Sequence, residues 1–338
     1  MPRNQQILLD NRPTGEASAS NFRLVASDTP ALQDGQVLVR HHYLSLDPYM
    51  RGRMNDAKSY AAPQPLGQVM QGGTVGEVVE SRNARYQVGD KVVGMGGWQE
   101  YSVVDAAQSA ALRKVDTTHV PLSHYLGAVG MPGVTAWYGL VKICDPKEGE
   151  TVVVSAASGA VGSAFGVLAK ARGLRAVGIA GGPAKCKYAV EDLGFDACID
   201  YKLHADAPSL SRALKDACPN GVDGYFENVG GMVLDAVLSR MNAHGRIALC
   251  GMIAGYDGKP MPLAYPALIL MSRLKVQGFI VAEHMEVWPQ ALAELGGLVA
   301  SGKLRPRATL AQGLASAPEA FLGLLKGHNF GKQLVQLI

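Results

Sequence analysis

The sequence lacks the cysteine patterns and leader features of secreted proteins. Its five cysteines are scattered, with no C-x-x-C pair, so neither a disulfide framework nor a zinc cluster is expected. The amino-terminal stretch "MPRNQQILLD" has no apolar core of the length that a secretory signal needs. We therefore expect a cytoplasmic protein.

Long apolar runs and a strong charge of either sign are also missing. The longest apolar stretch, "MPLAYPALILM" over residues 261–271, is too short to span a bilayer and contains two prolines. A net charge of +3 over 338 residues gives no reason to expect nucleic acid or an anionic membrane as a partner. With 48% hydrophobic residues and 40 glycines, the chain has the composition of a loop-rich globular enzyme, long enough for two domains.

Two sequence patterns divide the chain. Residues 1–125 contain short β-type runs between glycine-containing turns, such as "GQVLVRHHYLSL" and "GTVGEVVES", which predicts a mostly antiparallel, barrel-like domain. Over residues 126–303 strands and helices alternate, which predicts a doubly wound parallel sheet of the Rossmann type in an α/β domain. The last piece, "GKQLVQLI", is predicted to return to the first domain, which then comprises residues 1–125 and 304–338.

Individual elements of the second domain follow from the periodicity. "TVVVSAA", "RAVGIA" and "GRIALCGMI" are predicted strands. "AVGSAFGVLAKARG", "AKCKYAVEDLG" and "MVLDAVLSRMN" are predicted helices.

Small residues follow the first of these strands. In "AASGAVG", Ala157, Gly159 and Gly162 occupy the three glycine positions of a G-x-G-x-x-G turn. These positions allow a tight bend, a close approach of backbone to a pyrophosphate, and close packing of helix on strand. The amino end of the next helix would then face the phosphates. The alternative is that these small residues only pack a strand against a helix.

No acid follows the second strand. "RAVGIA" is followed by Gly181 and Gly182, where NAD-dependent enzymes carry a carboxylate for the ribose 2′-hydroxyl. This chain instead has Lys185, and later Tyr201 and Lys202, a combination of cations and a phenol donor that suits a 2′-phosphate. The sequence therefore predicts NADPH rather than NADH, the alternative being that Lys185 is an ordinary solvated helix residue.

The distribution of histidine and cysteine does not suit a catalytic metal. Such a zinc needs three protein ligands and an open position. His41 and His42 are adjacent, so on a strand their side chains would point to opposite faces. "SLDPYMRG" and "MQGGTVGEV" contain neither residue type, and a hydride transfer without metal is predicted.

The motifs together resemble those of the zinc-independent medium-chain dehydrogenase/reductases. The chain is similar to the branch that contains leukotriene B4 dehydrogenase/prostaglandin reductase and alkenal/curcumin reductase. The resemblance implies a GroES-like first domain beside the Rossmann domain. Where zinc-dependent relatives carry Gly-His-Glu, this chain has Gln71-Gly72-Gly73. The matching segments run nearly end to end: "LDPYMRGRM", "VGDKVVG", "GMPGVTAWYGL", "AASGAVGS", "LGFDACIDYK", "FENVGG", "CGMIAGY" and "GHNFGKQLV".

The resemblance also implies a set of cofactor contacts and an assembly. Ala184 departs from the branch, which has an acid just before the lysine, and this puts the geometry at the 2′-phosphate in question. A homodimer is implied, with a sheet strand within residues 245–281 at its interface. The implied NADPH contacts are Gly159, Ala160, Val161, Gly162, Lys185, Tyr201, Asn228, Cys250, Gly251, Tyr256, Phe279, Ile280, Val281 and Asn329.

The predicted reaction is NADPH-dependent reduction of the C=C bond of an α,β-unsaturated aldehyde or ketone. Hydride addition to the β-carbon produces an enolate, whose oxygen needs hydrogen-bond donors. Tyr256, in the turn after a sheet strand, is the candidate catalytic donor, because a phenol with a pKa of about 10 stays protonated at neutral pH. The α-carbon can take its proton from solvent. The alternative is that Tyr256 is an exposed loop tyrosine.

Other residues are candidates for the substrate cleft. Tyr49, Met131 and Thr135 are expected to line it, although a buried aromatic is an equal interpretation of Tyr49. Arg51 and Arg53 either attract an acidic substrate tail or serve as structural and surface charges. Two other functions stay open: an NADPH:quinone oxidoreductase, and a non-catalytic NADPH-binding protein.

Overall fold

The computed structural model describes residues 2–105 and 112–338. Contacts divide the chain into two units. The first unit consists of Met1–Leu126 and Ala308–Ile338, and the second of Gly127–Arg307. Each helix in the described part of the chain is too short or too polar to cross a membrane.

Strands predominate in the first unit, whereas strands and helices alternate in the second. The strands, in chain order, are β1 (Arg3–Leu9), β2 (Phe22–Asp28), β3 (Val37–Ser45), β4 (Thr74–Ser81), β5 (Lys91–Gly94), β6 (Tyr101–Val104), β7 (Arg113–Lys114), β8 (Thr151–Ser155), β9 (Arg175–Ala180), β10 (Ala197–Asp200), β11 (Val222–Glu227), β12 (Met241–Leu249), β13 (Lys275–Gly278), β14 (Ala308–Gln312) and β15 (Lys332–Gln336). The α-helices are α1 (Tyr49–Arg53), α2 (Met131–Tyr138), α3 (Ala160–Lys170), α4 (Pro183–Glu191), α5 (Ala207–Ala217), α6 (Gly231–Leu238), α7 (Ala267–Met271), α8 (Trp288–Ala300) and α9 (Ala317–Leu325).

The first unit is built on a mostly antiparallel sheet. Its strand order is β14-β15-β3-β4-β5-β7, with β6 paired to β3, and β1 and β2 form a separate antiparallel pair. β15 is parallel to β14 and antiparallel to β3. The core contains Trp98, whose ring stacks on Phe22 at 5.3 Å and meets the edge of Phe321 at 5.6 Å. The carboxyl-terminal strand therefore belongs to the same sheet as β3.

The second unit contains a parallel sheet of six strands. Its order is β10-β9-β8-β11-β12-β13, with helices in the connections. From β8 the chain passes through β9 to β10 at one edge of the sheet. It then returns to β11 on the other side of β8, so the boundary between β8 and β11 is the switch point of a doubly wound sheet. Together with the antiparallel sheet of the first unit, this confirms the predicted fold class. β9 has the same bounds as the predicted strand "RAVGIA".

Two predicted elements have different bounds in the structure. The predicted helix "MVLDAVLSRMN" corresponds to α6, which ends at Leu238, because Met241 already pairs with Val222 in the sheet. The predicted strand "GRIALCGMI" corresponds to β12, which ends at Leu249. The chain turns there because the amides of the next two residues both donate to the carbonyl of Glu227.

Candidate active site

The turn after β8 brings backbone amides to the carboxyl edge of the parallel sheet. Ala156, directly after the strand, has a positive φ of 52°, and Ala157 donates its amide to the carbonyl of Ile179 at 3.0 Å. α3 begins after Gly159, its N-cap, and no side chain of the described residues caps it. The first amides of a helix have no acceptor within the helix, so they are available to an anion at this end.

Gly162 is the position in this turn that requires glycine. A Cβ atom there would lie 2.4 Å from the carbonyl oxygen of Ala156 and 2.7 Å from the Cα of Ala157. Gly159 has more space, with the same oxygen 3.1 Å from its would-be Cβ. The backbone at Gly159, Ala160 and Val161 is partly exposed, whereas Gly162 is buried against the turn.

Two lysines, Lys185 and Lys202, lie in the segments that follow β9 and β10. A Cβ atom on Gly181 would lie 2.9 Å from Cε1 of Tyr201 and 3.1 Å from Cε of Lys202, so a side chain at this position would displace them. Asp200 fixes the surrounding loops, since its Oδ1 accepts from the amides of Gly182 at 2.8 Å and Lys202 at 3.0 Å. Where NAD-dependent enzymes carry an acid, this chain therefore has a glycine on which Tyr201 and Lys202 pack.

Lys185 lies in the first turn of α4, close to Lys202. Partial burial lowers the pKa of Lys185, and the charge of Lys202 lowers it further. Two ammonium groups near each other raise the free energy of their charged forms, and an anion bound beside them would offset this. Lys185 is thus close to Lys202, which packs together with Tyr201 on Gly181.

A buried carboxylate organises the switch point between β8 and β11. Glu227 is fully buried and accepts hydrogen bonds from the hydroxyl of Tyr225 at 2.6 Å, from Ser155 Oγ at 2.8 Å, and from the amide of Val229. Burial raises its pKa, although each of these donors lowers it. Asn228 donates two hydrogen bonds to Ser155: its backbone amide donates to Oγ, and its side chain donates to the carbonyl, both at 2.8 Å.

Tyr256 folds back over the turn that follows β12. Its hydroxyl accepts from the amide of Met252 at 3.4 Å, and a Cβ on Gly251 would lie 3.1 Å from that oxygen. Tyr256 is partly exposed. The amides of Cys250 and Gly251 donate to the carbonyl of Glu227 at 3.0 and 3.2 Å, which attaches this turn to the Glu227 network. Burial raises the pKa of Cys250 to about 12, so its thiol stays protonated.

The remaining candidates of the second unit lie on and beside α2. Phe279 packs on the ring of Tyr138 at 5.3 Å, and Trp288 Nε1 donates to the carbonyl of Val281 at 3.3 Å. Ile280 is partly exposed. On α2, the hydroxyl of Thr135 donates to the carbonyl of Met131 at 2.7 Å.

Tyr49 and Asn329 lie in the first unit. Burial raises the pKa of Tyr49 well above its usual range, and the guanidinium of Arg53 lies 5.9 Å from the centre of its ring. The side chain of Asn329 donates to the carbonyl of Gly331 at 2.7 Å. Arg51 is buried and donates to Asn55 Oδ1 at 2.7 Å, which is the structural role that the sequence left open for it.

The histidines of β3 do not form a metal cluster with other residues of the described chain. Over residues 2–105 and 112–338, no group of three histidine, cysteine, aspartate or glutamate side chains could hold a metal ion. His41 is buried and shares a hydrogen bond of 2.9 Å with Ser102 Oγ, whereas His42 lies 4.0 Å from Glu77.

Sequence analysis assigned no role to Ser155, Tyr225 or Glu227. The signal that could have indicated them is the acid in "FENVGG", directly after an apolar strand, because a buried carboxylate requires hydrogen-bond donors. The identity of those donors depends on the pairing of β8 with β11 and could not be obtained from spacing alone.

The chain is similar to known protein families and to known proteins over almost its whole length. Residues 5–112 match the family described as N-terminal domain of oxidoreductase, and residues 160–296 match the zinc-binding dehydrogenase family. NADPH-dependent curcumin reductase of Escherichia coli is 45% identical, over 99% of this chain and 97% of that protein. NADP(+)-dependent 2-alkenal reductase of Nicotiana tabacum is 42% identical, over 99% and 97%. The crystal structure of CurA from Vibrio vulnificus in complex with NADPH is 45% identical, with a TM-score of 0.91 and 99% of both chains covered.

Proposed function

The chain belongs to the zinc-independent medium-chain dehydrogenase/reductases, in the branch of the curcumin, alkenal and prostaglandin reductases, and from this we propose its activity. It is an NADPH-dependent oxidoreductase that reduces the C=C bond of α,β-unsaturated aldehydes and ketones. The observation that carries this function is the similarity to the curcumin reductase and the 2-alkenal reductase. They are 45% and 42% identical to this chain, and each alignment covers 99% of this chain and 97% of the relative. The bound cofactor supplies hydride for the β-carbon of the substrate.

Residues of the second unit suit the phosphates of NADPH. The amides of Gly159, Ala160, Val161 and Gly162 would hold the pyrophosphate at the amino end of α3. Lys185 and Tyr201, with Lys202, would hold the 2′-phosphate, because Lys185 is partly desolvated close to the charge of Lys202 and the glycine at position 181 brings no competing acid. The residues proposed to contact the rest of the cofactor are Asn228, Cys250, Gly251, Tyr256, Phe279, Ile280, Val281 and Asn329.

Tyr256 is proposed as the catalytic hydrogen-bond donor to the substrate oxygen. The amide of Met252 donates to its hydroxyl oxygen, which polarises the O–H bond and strengthens its donation to an oxygen that gains negative charge. The α-carbon takes its proton from solvent. Tyr49, Met131 and Thr135 are proposed to line the substrate cleft, where the Thr135 oxygen keeps acceptor capacity while its hydrogen is used within α2.

The function is tested by following NADPH oxidation with a panel of acceptors. The panel contains a linear 2-alkenal, an aromatic enone and a benzoquinone, each with NADPH and with NADH. We expect turnover of the enal and the enone, with NADPH preferred. Faster turnover of the quinone than of either conjugated carbonyl would assign quinone reduction instead. Stoichiometric NADPH binding without turnover of any acceptor would assign a non-catalytic protein.

We also propose that the protein is a cytoplasmic homodimer that acts on small molecules, without nucleic-acid or membrane partners. β13 pairs with β12 on one side, and no strand of the described residues pairs with its other edge. In α7, which directly precedes β13 in the chain, Leu270 and Met271 are 79% and 66% exposed. An exposed strand edge beside apolar side chains favours association with a second copy.

The assembly is tested with the charge-introducing variant Leu270→Asp. We expect light scattering to give the mass of a dimer for the unchanged protein and of a monomer for the variant. Val88→Asp, in the exposed turn of the first unit, is the matched control and should stay dimeric. A monomeric unchanged protein would contradict the proposal. Cell fractionation tests the cytoplasmic location.

A further inference from the structure

Residues 227–229, at the end of β11, present three successive carbonyl oxygens to the turn that follows β12. In an extended strand the pleat points successive carbonyls to opposite sides, so the chain must bend here for three of them to face one segment. The carbonyl of Glu227 accepts from the amides of Cys250 at 3.0 Å and Gly251 at 3.2 Å, that of Asn228 from Ile253 at 3.2 Å, and that of Val229 from Ala254 at 3.0 Å. The place of the turn therefore depends on the shape of the chain over residues 227–229.

The carboxylate of Glu227 holds this bend. Its Oε1 atom accepts from the amide of Val229, two residues further on, which is the hydrogen bond that an Asx turn makes with a shorter side chain. Ser155 Oγ donates to the same oxygen at 2.8 Å, and the hydroxyl of Tyr225 donates to Oε2 at 2.6 Å. Glu227, Ser155 and Tyr225 are each 0% exposed, so water does not compete for these bonds.

The attached turn carries Tyr256 and holds it at two atoms. The amide of Tyr256 donates to the carbonyl of Ile253 at 3.2 Å, and its hydroxyl oxygen accepts from the amide of Met252 at 3.4 Å. Both partners lie within the attached segment, residues 250–254. The position of the Tyr256 hydroxyl therefore follows from the position of residues 227–229.

The same carboxylate is bonded to the strand that leads into the turn after β8. Ser155 is the last residue of β8, and the chain enters that turn at Ala156, which has a positive φ of 52°. The side chain of Asn228 also donates to the carbonyl of Ser155. The segment proposed for the pyrophosphate and the segment that carries Tyr256 thus meet at Glu227.

We propose that Glu227 is a positioning residue for the reduction: through the bend at residues 227–229, its carboxylate sets where the Tyr256 hydroxyl lies relative to the turn after β8. Glu227 is fully buried and acts through the backbone. The bend needs a hydrogen-bond acceptor for the Val229 amide, and a thioether of similar length supplies only a weak one. This inference rests on the proposed function, because it assumes that Tyr256 donates to the substrate oxygen.

Two substitutions separate this role from that of a core side chain. Glu227→Met keeps the length of the side chain but removes the strong acceptor. Glu227→Asp is shorter, which moves the carboxylate away from Ser155 and Tyr225, but an aspartate forms an Asx turn with the amide two residues on. If Glu227 only connected the core, Glu227→Asp would be as harmful as Glu227→Met. Asp196→Ala is the matched control, since Asp196 accepts from the amide of Ala176 at 2.7 Å at the amino edge of the same sheet.

Amide hydrogen exchange, followed by mass spectrometry, tests the attachment of the turn without any activity measurement. In Glu227→Met we expect exchange over residues 250–256 to be about tenfold faster, because the bend no longer holds the acceptors of these amides in place. Glu227→Asp and Asp196→Ala should exchange there at the unchanged rate. Unchanged exchange in the folded Glu227→Met variant would overturn the proposal, and so would an equal increase in Glu227→Asp.

Steady-state kinetics with an enone and saturating NADPH test the consequence for the reaction. Glu227→Met should lower kcat about tenfold, whereas Glu227→Asp should stay within about threefold of the unchanged protein. In the Tyr256→Phe background, Glu227→Met should lower kcat less than about twofold, because the group that it positions is already missing. The same large loss in both backgrounds would overturn the proposal, since Glu227 would then act independently of Tyr256.

Two further outcomes are decisive. If Glu227→Met does not fold, Glu227→Asp decides: nearly unchanged kcat supports the proposal, and a loss of about tenfold in the folded variant overturns it. If Glu227→Met exchanges faster but keeps its kcat, the kcat of Tyr256→Phe shows which assumption fails. A slow Tyr256→Phe variant would then disprove the positioning role of Glu227, and a fully active one would disprove the role of Tyr256 in the proposed function.

Discussion

The Nζ atom of Lys332 lies 2.9 Å from Oδ1 of Asp47, although 285 positions separate the two residues in the chain. Both side chains are almost fully buried, at 6% and 10% exposure. The same ammonium donates to the carbonyl of Leu46 at 2.6 Å, and the hydroxyl of Ser45 donates to the Asp47 carboxylate. This ion pair attaches the start of β15 to the end of β3 inside the first unit.

Removing one member of the pair should destabilise the protein. Lys332→Gln leaves the Asp47 carboxylate buried without its cation, and we expect the free energy of unfolding to fall by about 3 kcal/mol. Urea denaturation measures this. The control is Lys147→Gln, since Lys147 pairs with Asp145 at 2.9 Å with both side chains about 70% exposed. It should cost less than about 1 kcal/mol, and equal losses in the two variants would contradict the argument.

Lys185→Ala should change cofactor preference more than the rate of reduction. Without this cation, the KM for NADPH should rise about tenfold or more, because a charge-assisted contact with the 2′-phosphate is lost. The KM for NADH should stay the same. Lys187→Ala is the matched control, because Lys187 is on the same helix but exposed and paired with Glu191. An equal rise for both cofactors would remove Lys185 from 2′-phosphate recognition.

Tyr256→Phe should lower kcat for an enone about a hundredfold, with a smaller change in KM, because the lost donor acts where charge develops. Steady-state kinetics with saturating NADPH measure the effect. Tyr265→Phe serves as the control, since Tyr265 is an exposed tyrosine of the same unit. Turnover by the Tyr256 variant at the unchanged rate would rule out the proposed role.

Stability should fall as the pH is lowered below about 6.5. Burial, with a smaller contribution from His42, lowers the pKa of His41 to about 3, so the folded protein keeps this imidazole neutral. In the unfolded chain a histidine binds a proton below about 6.5, and each further pH unit costs the fold about 1.4 kcal/mol until the folded pKa is reached. Urea denaturation at pH 7.5, 6.5 and 5.5 measures the sum of all such groups.

NMR isolates the contribution of His41. Its ring signals, assigned by their loss in His41→Gln, should not shift between pH 8 and pH 5. A shift centred near pH 6.5 would show that the buried imidazole titrates normally.

The parts of the fold that follow from local periodicity could be predicted from the sequence. β9 has the predicted bounds, because a run of apolar residues between glycine-containing turns fixes both ends of a buried strand. Gly162 packs against the backbone of Ala156 and Ala157, and only glycine fits there. The proximity of Lys185 and Lys202 follows from their positions after neighbouring strands of one parallel sheet.

What the sequence could not reveal depends on contacts between distant residues. The side chains that donate to Glu227 come from β8 and β11, and nothing in the spacing of Ser155 and Glu227 predicts their hydrogen bond of 2.8 Å. The end of β12 is likewise set by amides that bond to the Glu227 carbonyl, not by a turn residue in "GRIALCGMI". The spacing of residues along a strand predicts which of them point to the same face of the sheet. To identify hydrogen-bond partners on neighbouring strands, the register between the strands must also be known.

The place of β15 in the sheet of the first unit has a consequence for synthesis on the ribosome. The second unit is one continuous segment, so all of its strands have left the ribosome before β15 is translated. Until then the first unit lacks the strand that pairs with Tyr43–Ser45 of β3, because β15 pairs with these residues while β6 pairs with Val37–Arg40. During synthesis, the first unit is therefore the first to be started and the last to be completed.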